Sequence, residues 1–225
     1  MEKRILIVAN WKANKTVEES LNWLKEFKKR WRRRKNIEIV LCPPYTALSP
    51  LRSEIRNWKL GIRLGAQDIS PFPSGAYTGE VSGEMLKELV DYVLIGHSER
   101  RKYFGETEEM VKRKIKRAKE FGIKPIVCVA NFAQIPKEKN LILMYEPPSA
   151  ISKEGVYRPC DPEKVAQTLS LWRKKLNRLN PRFLYGGSVN RENVSSFLAI
   201  REVSGVAVGH ASLDPEEFFQ ILKNA

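Results

Sequence analysis

Eight short runs of apolar, often β-branched residues recur along the chain, at positions 5–9, 37–42, 62–66, 92–96, 125–129, 141–145, 183–185 and 206–208. None of these runs alternates between apolar and polar residues, which is typical of strands buried on both faces. Helical patterns with start signals lie between most of them, such as the capping box of Thr16 and Glu19 and the Asp-Pro pairs at 161–162 and 214–215. Eight strands alternating with helices predict an α/β protein, a closed parallel (β/α)8 barrel more than an open sheet.

One interval between two predicted strands is too short and too broken to hold a helix. Residues 130–140 contain Asn131, Pro136 and the charged run 137–139, all of which disfavour a continuous helix. We therefore expect eight strands but seven full helices, with the fifth helix missing or reduced to a turn. No domain boundary, repeat or low-complexity tract interrupts residues 1–225, so we expect one domain.

The chain is strongly basic, with 40 Lys and Arg against 26 Asp and Glu and a formal charge of +14 over 225 residues. Such a balance suggests an anionic partner: nucleic acid, an acidic membrane or a phosphorylated metabolite. The densest basic run, 28–35, overlaps a helical apolar stripe formed by Leu21, Leu24, Phe27 and Trp31. That stripe favours a solvated helix face over a nucleic-acid patch.

Cysteine and histidine are too few and too scattered for a disulfide framework or a metal cluster. The three cysteines are Cys42, Cys128 and Cys160, and the two histidines are His97 and His210. We expect no disulfide, no metal and no cofactor. The apolar run at the N-terminus is too short for a signal peptide, and no segment reaches the length of a membrane helix. These features predict a cytoplasmic protein that binds neither membrane nor nucleic acid.

Polar side chains and glycine-rich turns follow five of the predicted strands. Because the carboxyl ends of parallel strands share one rim of a barrel, we expect these groups to converge there. Glu146 can abstract a proton next to a carbonyl, and His97 or Lys12 can stabilise the resulting oxyanion. The turns at 186–188 and 209–210 suit a phosphate held by backbone N–H groups.

Each residue also has a structural interpretation when it is taken alone. A histidine after a strand is often a hydrogen-bonded structural residue, a glutamate before a proline can be a turn residue, and a lysine can be a surface charge. A Gly-Gly-Ser turn alone is a weak signal. The combination of His97, Glu146, Lys12 and two glycine-rich turns at the ends of five strands is what favours a catalytic site.

These motifs resemble those of the triosephosphate isomerase family, from the first strand to the last. The matching segments are Asn10-Trp11-Lys12, Gly75-Ala76-Tyr77-Thr78-Gly79-Glu80, Gly96-His97-Ser98-Glu99-Arg100-Arg101, Tyr145-Glu146-Pro147 and Tyr185-Gly186-Gly187-Ser188-Val189. The resemblance implies a TIM barrel without cofactor that interconverts dihydroxyacetone phosphate and D-glyceraldehyde 3-phosphate through an enediolate, in glycolysis and gluconeogenesis.

The resemblance also implies a role for each site residue. Glu146 moves a proton between C1 and C2, and a neutral His97 donates a hydrogen bond to the carbonyl oxygen. Lys12 adds positive charge beside the phosphate, Asn10 orients the substrate oxygens, and Glu99 lies close to Lys12. Residues 147–155 form a lid that excludes water. The phosphate is bound by N–H groups near Ser152, Ser188, Gly209 and His210.

Three features depart from the pattern of the family. Ser152 replaces a glycine of the lid, so a positive φ at that position would cost free energy. His210 replaces the second glycine after the eighth strand, and its imidazole must point away from the phosphate or join its site. Residues 128–131 read Cys-Val-Ala-Asn in place of Cys-x-Gly-Glu. The short chain resembles compact archaeal members, whereas the turn at 185–188 resembles bacterial ones.

The loop at 70–81 and the short interval at 131–140 suggest assembly into oligomers. The loop carries apolar groups among glycines, and the resemblance implies a dimer in which Thr78 reaches the active site of the neighbouring chain, near Asn10 and Lys12. Phe132 and Ile135 are candidate contacts between two dimers, which would give a tetramer.

Two other functions are compatible with parts of the sequence. Another phosphate-binding barrel isomerase, such as a sugar-phosphate epimerase, would need paired aspartates or metal ligands, and Asp68 is the only acid of that kind at a strand end. An inactive barrel with a nucleic-acid-binding surface would not need Lys12, His97 and Glu146 together.

Overall fold

Eight parallel strands close into a barrel in the computed structural model, which describes residues 4–150 and 158–225. Strand order follows chain order, and β1 pairs with both β2 and β8. The strands are β1 (Ile5–Asn10), β2 (Ile37–Cys42), β3 (Arg63–Ala66), β4 (Tyr92–Ile95), β5 (Lys124–Val129), β6 (Ile142–Tyr145), β7 (Arg182–Tyr185) and β8 (Val203–Val208). The predicted (β/α)8 barrel is confirmed, with strand boundaries that differ from the predicted ones by a few residues at most.

Helices lie in six of the seven connections between strands and after the last strand. They are α1 (Val17–Arg30), α2 (Tyr45–Asn57), α3 (Gly83–Leu86), α4 (Ser98–Phe104), α5 (Glu108–Glu120), α6 (Pro162–Lys175), α7 (Val194–Leu198) and α8 (Pro215–Lys223), with α4 and α5 in the same connection. The residues predicted to begin helices cap them as expected. Thr16 and Glu19 form a reciprocal capping box, and the side chains of Asp161 and Asp214 cap α6 and α8.

The connection between β5 and β6 holds only a 3₁₀ turn, Phe132–Gln134, so the predicted loss of the fifth helix is confirmed. The expectation of seven full helices was wrong in its detail. Helix α3 has four residues and α7 has five. In both connections the chain before the helix forms a long loop, 70–81 or 186–193, which leaves too few residues for a longer helix before the next strand.

Aromatic side chains cover the barrel where the fifth helix is absent. Trp172 of α6 contacts Tyr145 of β6 edge-on, with ring centroids 4.9 Å apart, and also approaches Phe132 and Phe183 at 6.2 and 6.4 Å. Such pairs add specific contacts to the apolar area that they bury. Helix α6 thus shields the gap that a fifth helix would otherwise cover.

The apolar core has two layers separated by the strands. One layer fills the barrel interior and includes Leu6, Val8, Leu94 and Met144. The other lies between the strands and the helices. Adjacent residues of one strand belong to different layers, as Leu6 and Ile7 do. This is the reason why the strands read as continuously apolar.

The basic run at 28–35 lies at the end of α1, as its stripe predicted. Leu24, Phe27 and Trp31 are buried, Leu21 is partly buried, and the guanidinium group of Arg34 donates to the carbonyl of Leu222. No helix in ranges 4–150 and 158–225 is long and apolar enough to span a membrane. The three cysteines are free thiols.

Candidate active site

A cavity of about 520 Å³ opens at the carboxyl ends of the strands. It lies where ligands bind in barrels of this kind, because the loops after the strands surround that end. Most of the predicted site residues line it: Asn10, Lys12, His97, Glu146, Ser188, Gly209 and His210. Residues from five strand ends, up to 200 positions apart in sequence, are therefore brought together as expected.

Glu146 and His97 contact each other in the lining of this cavity. The Glu146 side chain is buried, and its Oε1 lies 3.1 Å from Nε2 of His97. Its Oε2 accepts a hydrogen bond of 3.0 Å from the backbone N–H of Ser98. Both carboxylate oxygens therefore have a partner, so a substrate that enters the cavity must displace the His97 contact before Glu146 can reach a carbon and Nε2 can reach an oxygen.

The hydrogen bonds of His97 assign its tautomer. Nδ1 accepts a bond of 3.2 Å from the backbone N–H of Glu99 in the first turn of α4. An accepting Nδ1 carries a lone pair, so the proton of the neutral ring is on Nε2, which faces Glu146 and the cavity. This arrangement gives a neutral hydrogen-bond donor, suited to a developing oxyanion.

Lys12 adopts a left-handed backbone conformation, with φ of +54°. This conformation is uncommon for a residue other than glycine and is held by the surroundings. The Asn10 carboxamide oxygen accepts from the Lys12 N–H at 3.0 Å, and the Gln67 side-chain amide donates to the Lys12 carbonyl at 2.8 Å. The Lys12 ammonium group forms an ion pair with Glu99, as expected for that acid.

The turn after β8 presents backbone N–H groups to the cavity. The N–H and the hydroxyl of Ser212 both donate to the Gly209 carbonyl, at 2.9 and 2.7 Å. Within the described residues, the N–H groups of Gly209 and His210 donate to no protein group. A Cβ atom placed on Gly209 would lie 3.7 Å from Cε of Lys12, so the lysine reaches this corner.

Ser188, after β7, is engaged with the neighbouring loop. Its N–H and its hydroxyl both donate to the Ala150 carbonyl, at 3.1 and 3.0 Å. Gly187 beside it requires the absence of a side chain, because a Cβ there would lie 2.1 Å from Oη of Tyr185. The Ser188 N–H becomes available to a ligand only when the Ala150 carbonyl releases it.

Asp68, the acid that a rival barrel enzyme would use, points away from the cavity. It belongs to a buried ion network in which Lys114 lies 2.7 Å from Asp68 and 3.1 Å from Glu106, while Arg100 lies 2.7 and 3.1 Å from the same two acids. Within the described ranges no three His, Cys, Asp or Glu side chains are grouped to hold a metal. Asp68 is therefore committed to two cations outside the cavity, where the rival barrel isomerases would need an acid facing the substrate.

Sequence reasoning missed two groups that hold predicted site residues in place. Gln67 and the Ser98 N–H hold Lys12 and Glu146, and only their positions just after β3 and β4 could have indicated them. Ser152 lies in 151–157, outside the described residues. Thr78 is exposed on the loop at 70–81, away from the cavity of its own chain.

Comparison with known proteins supports one family over the whole chain. The family model described as triosephosphate isomerase matches residues 5–138 and 130–225. The triosephosphate isomerase of Aquifex aeolicus is 39% identical, with 97% of this chain and 98% of the relative covered. That of a Picosynechococcus species is also 39% identical over 98% of each chain, and that of Dictyoglomus turgidum is 36% identical over 99% of this chain and 100% of its own. The chain belongs to the triosephosphate isomerase family.

Proposed function

We propose that this enzyme interconverts dihydroxyacetone phosphate and D-glyceraldehyde 3-phosphate, a step of glycolysis and gluconeogenesis, by proton transfer through an enediolate. Membership of the family supports the reaction. The observation that carries the residue assignment is the 3.1 Å separation between the buried Glu146 carboxylate and Nε2 of His97 at a cavity of about 520 Å³.

Glu146 is the base and His97 the electrophile. The carboxylate takes a proton from the carbon next to the carbonyl, and the electron pair moves to the carbonyl oxygen. The N–H at Nε2 of the neutral His97 stabilises that oxygen as its negative charge develops. The proton of the adjacent hydroxyl group also passes to the former carbonyl oxygen, a transfer that His97 can mediate because its Nε2 faces the cavity. Return of the proton from Glu146 to the neighbouring carbon then completes the exchange of ketone and aldehyde, so one carboxyl group serves both carbon proton transfers.

Lys12 and Asn10 supply the electrostatic setting. The Lys12 ammonium carries a fixed positive charge at the corner where the phosphate and the developing enediolate meet, and its pairing with Glu99 orients it. Asn10 holds the strained backbone of Lys12 through its carboxamide oxygen, which leaves its side-chain NH₂ group for a substrate oxygen.

The phosphate is bound by the free N–H groups of Gly209 and His210. The N–H of Ser188 joins them when the Ala150 carbonyl swings away, which couples phosphate binding to movement of the segment that follows Glu146. Ser152 belongs to this phosphate site by its position in the lid, a proposal that rests on sequence.

The assembly is a dimer, with a tetramer as the larger candidate. Phe72 and Tyr77 stack at 4.5 Å on the loop at 70–81 and remain 36% and 41% exposed, so a second subunit would bury apolar area there. Thr78 then reaches the partner's active site, near its Asn10 and Lys12. Phe132, 39% exposed beside the absent helix, is the candidate contact between dimers.

Residues 1–225 form one domain, since β1 closes the barrel against β8 and so ties the two ends of the chain together. The cytoplasm is the compartment that we propose, which the three free thiols support because reducing conditions keep cysteines in that state.

Replacement of the base tests this function. Glu146→Gln keeps an acceptor for the Ser98 N–H but cannot take a proton. We expect turnover of dihydroxyacetone phosphate, measured in a coupled assay, to fall by about 10²–10⁴-fold or more. Glu88→Gln, the same chemical change at an exposed residue before β4, is the matched control and should retain parental activity. Turnover of Glu146→Gln within a few-fold of the parent would reject Glu146 as the base.

A further inference from the structure

His210 is the one titratable side chain lining the cavity that has no polar partner among the described residues. The others are each paired: Lys12 with Glu99, His97 with Glu146, and Glu217 of α8 with Arg191 at 3.4 Å. The imidazole of His210 is exposed and forms no hydrogen bond or ion pair with the described residues. It is therefore free to meet a ligand in the cavity.

The backbone beneath this side chain is fixed. The Gly209 carbonyl accepts two bonds from Ser212, the His210 carbonyl accepts from the Leu213 N–H at 2.9 Å, and the indole of the buried Trp11 donates to the Ser212 carbonyl at 3.1 Å. Because these bonds fix the backbone, only the two side-chain torsions of His210 must be ordered when it contacts a ligand. The entropy lost in ordering it is correspondingly small.

The other titratable side chains that line this cavity come from four parts of the fold. Lys12 follows β1, His97 precedes α4, Glu146 follows β6, and Glu217 lies on α8 with Arg191 as its partner. Of the two acids, Glu217 is opposed by the guanidinium group of Arg191, and Glu146 contacts His97. A dianion at the Gly209 corner would meet the ammonium of Lys12 and, when protonated, the imidazole of His210.

We propose that the His210 imidazolium is a second cationic ligand, beside Lys12, for the phosphate group of the substrate, and that it makes dianion binding in this cavity depend on pH. The inference rests on the proposed function, since it takes this corner of the cavity to hold phosphate. An exposed histidine normally changes its charge between pH 5 and 8. Acidification through that range should then tighten the binding of a dianion that does not itself titrate.

Sulfate is the suitable probe, because it stays a dianion where a phosphate monoester gains a proton. Its binding is measured by calorimetry at constant ionic strength from pH 5.5 to 8 for the parent, His210→Asn and His210→Lys. We expect the parent to bind sulfate about three- to tenfold more tightly at pH 5.5 than at pH 8. His210→Asn should lose this change, and His210→Lys should bind tightly throughout because lysine stays charged.

His97 is the other histidine of the chain and is present in all three proteins. Any contribution of His97 to the pH dependence of sulfate binding therefore persists in His210→Asn and cancels when the two pH profiles are compared. Proton uptake on sulfate binding near pH 7, measured in two buffers with different ionisation enthalpies, should occur in the parent and vanish in His210→Asn. Equal pH profiles and equal proton uptake in parent and His210→Asn would overturn the proposal.

Different results would refute the role of His210 and the proposed isomerase function. Intact isomerase turnover together with sulfate profiles that do not depend on His210 would refute this inference alone. Absence of turnover at every pH, with sulfate binding that still depends on His210, would refute the proposed function and leave an anion site.

Discussion

At the scale of single residues, the first turn of α4 organises both reacting groups. Its Ser98 N–H holds the Glu146 carboxylate, and its Glu99 N–H occupies Nδ1 of His97. One backbone segment therefore positions the base and fixes which ring nitrogen of the electrophile accepts a hydrogen bond.

This arrangement predicts the tautomer of His97 in solution. The neutral ring should carry its proton on Nε2 and a lone pair on Nδ1, because a proton on Nδ1 would break the bond from the Glu99 N–H. The ¹⁵N chemical shifts of the two ring nitrogens measure this directly, and His210→Asn removes the only other histidine signals. A neutral ring with its proton on Nδ1 would contradict the assignment.

At the scale of elements, a buried ion network fixes α4 and α5 behind the site. Arg100 of α4 and Lys114 of α5 both contact Asp68, which follows β3, and Glu106 accepts from the N–H of Gly96, the residue before His97. Burial raises the pKa of Asp68, and the adjacent Lys114 and Arg100 oppose that rise. Two carboxylates, Asp68 and Glu106, and two cations, Arg100 and Lys114, are thus packed together, and each buried acid depends on an adjacent cation.

Lys114→Met should show how much Asp68 and Glu106 destabilise the folded protein when one of their two cations is removed. We expect the free energy of unfolding near pH 7.5 to fall by about 3–5 kcal/mol, as when one partner of a buried ion pair is removed. Without Lys114 the pKa of Asp68 lies further above its unfolded value, so the deficit is largest at neutral pH. It should shrink as the pH falls through the raised pKa and the carboxyl group takes up a proton.

Denaturant unfolding of parent and variant at pH 7.5 and pH 5 measures this difference. Lys116→Met, on the same helix but exposed, is the matched control and should change stability by no more than about 0.5 kcal/mol. A Lys114→Met deficit that is equal at both pH values would show that the carboxylates are not its source.

At the scale of the whole molecule, exposed apolar groups are concentrated on a few loops and helices. Phe72 and Tyr77 project on the loop at 70–81, whose base is closed by a bond of 2.9 Å from the Ser70 N–H to the Val81 carbonyl. Phe132 projects beside the absent fifth helix. A loop that is closed at its base but exposed along its length is suited to insertion into a partner.

A charged residue introduced on each of these two surfaces should distinguish the contact that forms the dimer from the contact between two dimers. Light scattering of the parent across a dilution series should give at least twice the chain mass of 25.9 kDa. Tyr77→Asp should yield monomers with reduced turnover, because Thr78 no longer completes the neighbouring site. Phe132→Asp should leave a dimer with full activity whether or not tetramers form in the parent. A stable and fully active parental monomer would refute the dimer.

The sequence by itself determined the strands, the helix starts, the missing fifth helix and most of the cavity lining. These features depend on local properties: apolar runs, capping residues, chain length between strands, and the rule that parallel strands share one rim. Lys12, His97 and Glu146 were predictable because each lies within two residues of the end of a strand, so the topology alone brings them together.

Only the tertiary structure decided how those groups are held. The tautomer of His97, the engagement of Ser188 with Ala150, the support of Lys12 by Gln67 and the network that joins Asp68 to Lys114 all depend on contacts between distant segments. So do the short α3 and α7 and the cover that Trp172 provides over the gap. Side-chain packing and hydrogen-bond partners form only when the barrel closes, and no local pattern in the chain encodes which distant group will be within reach.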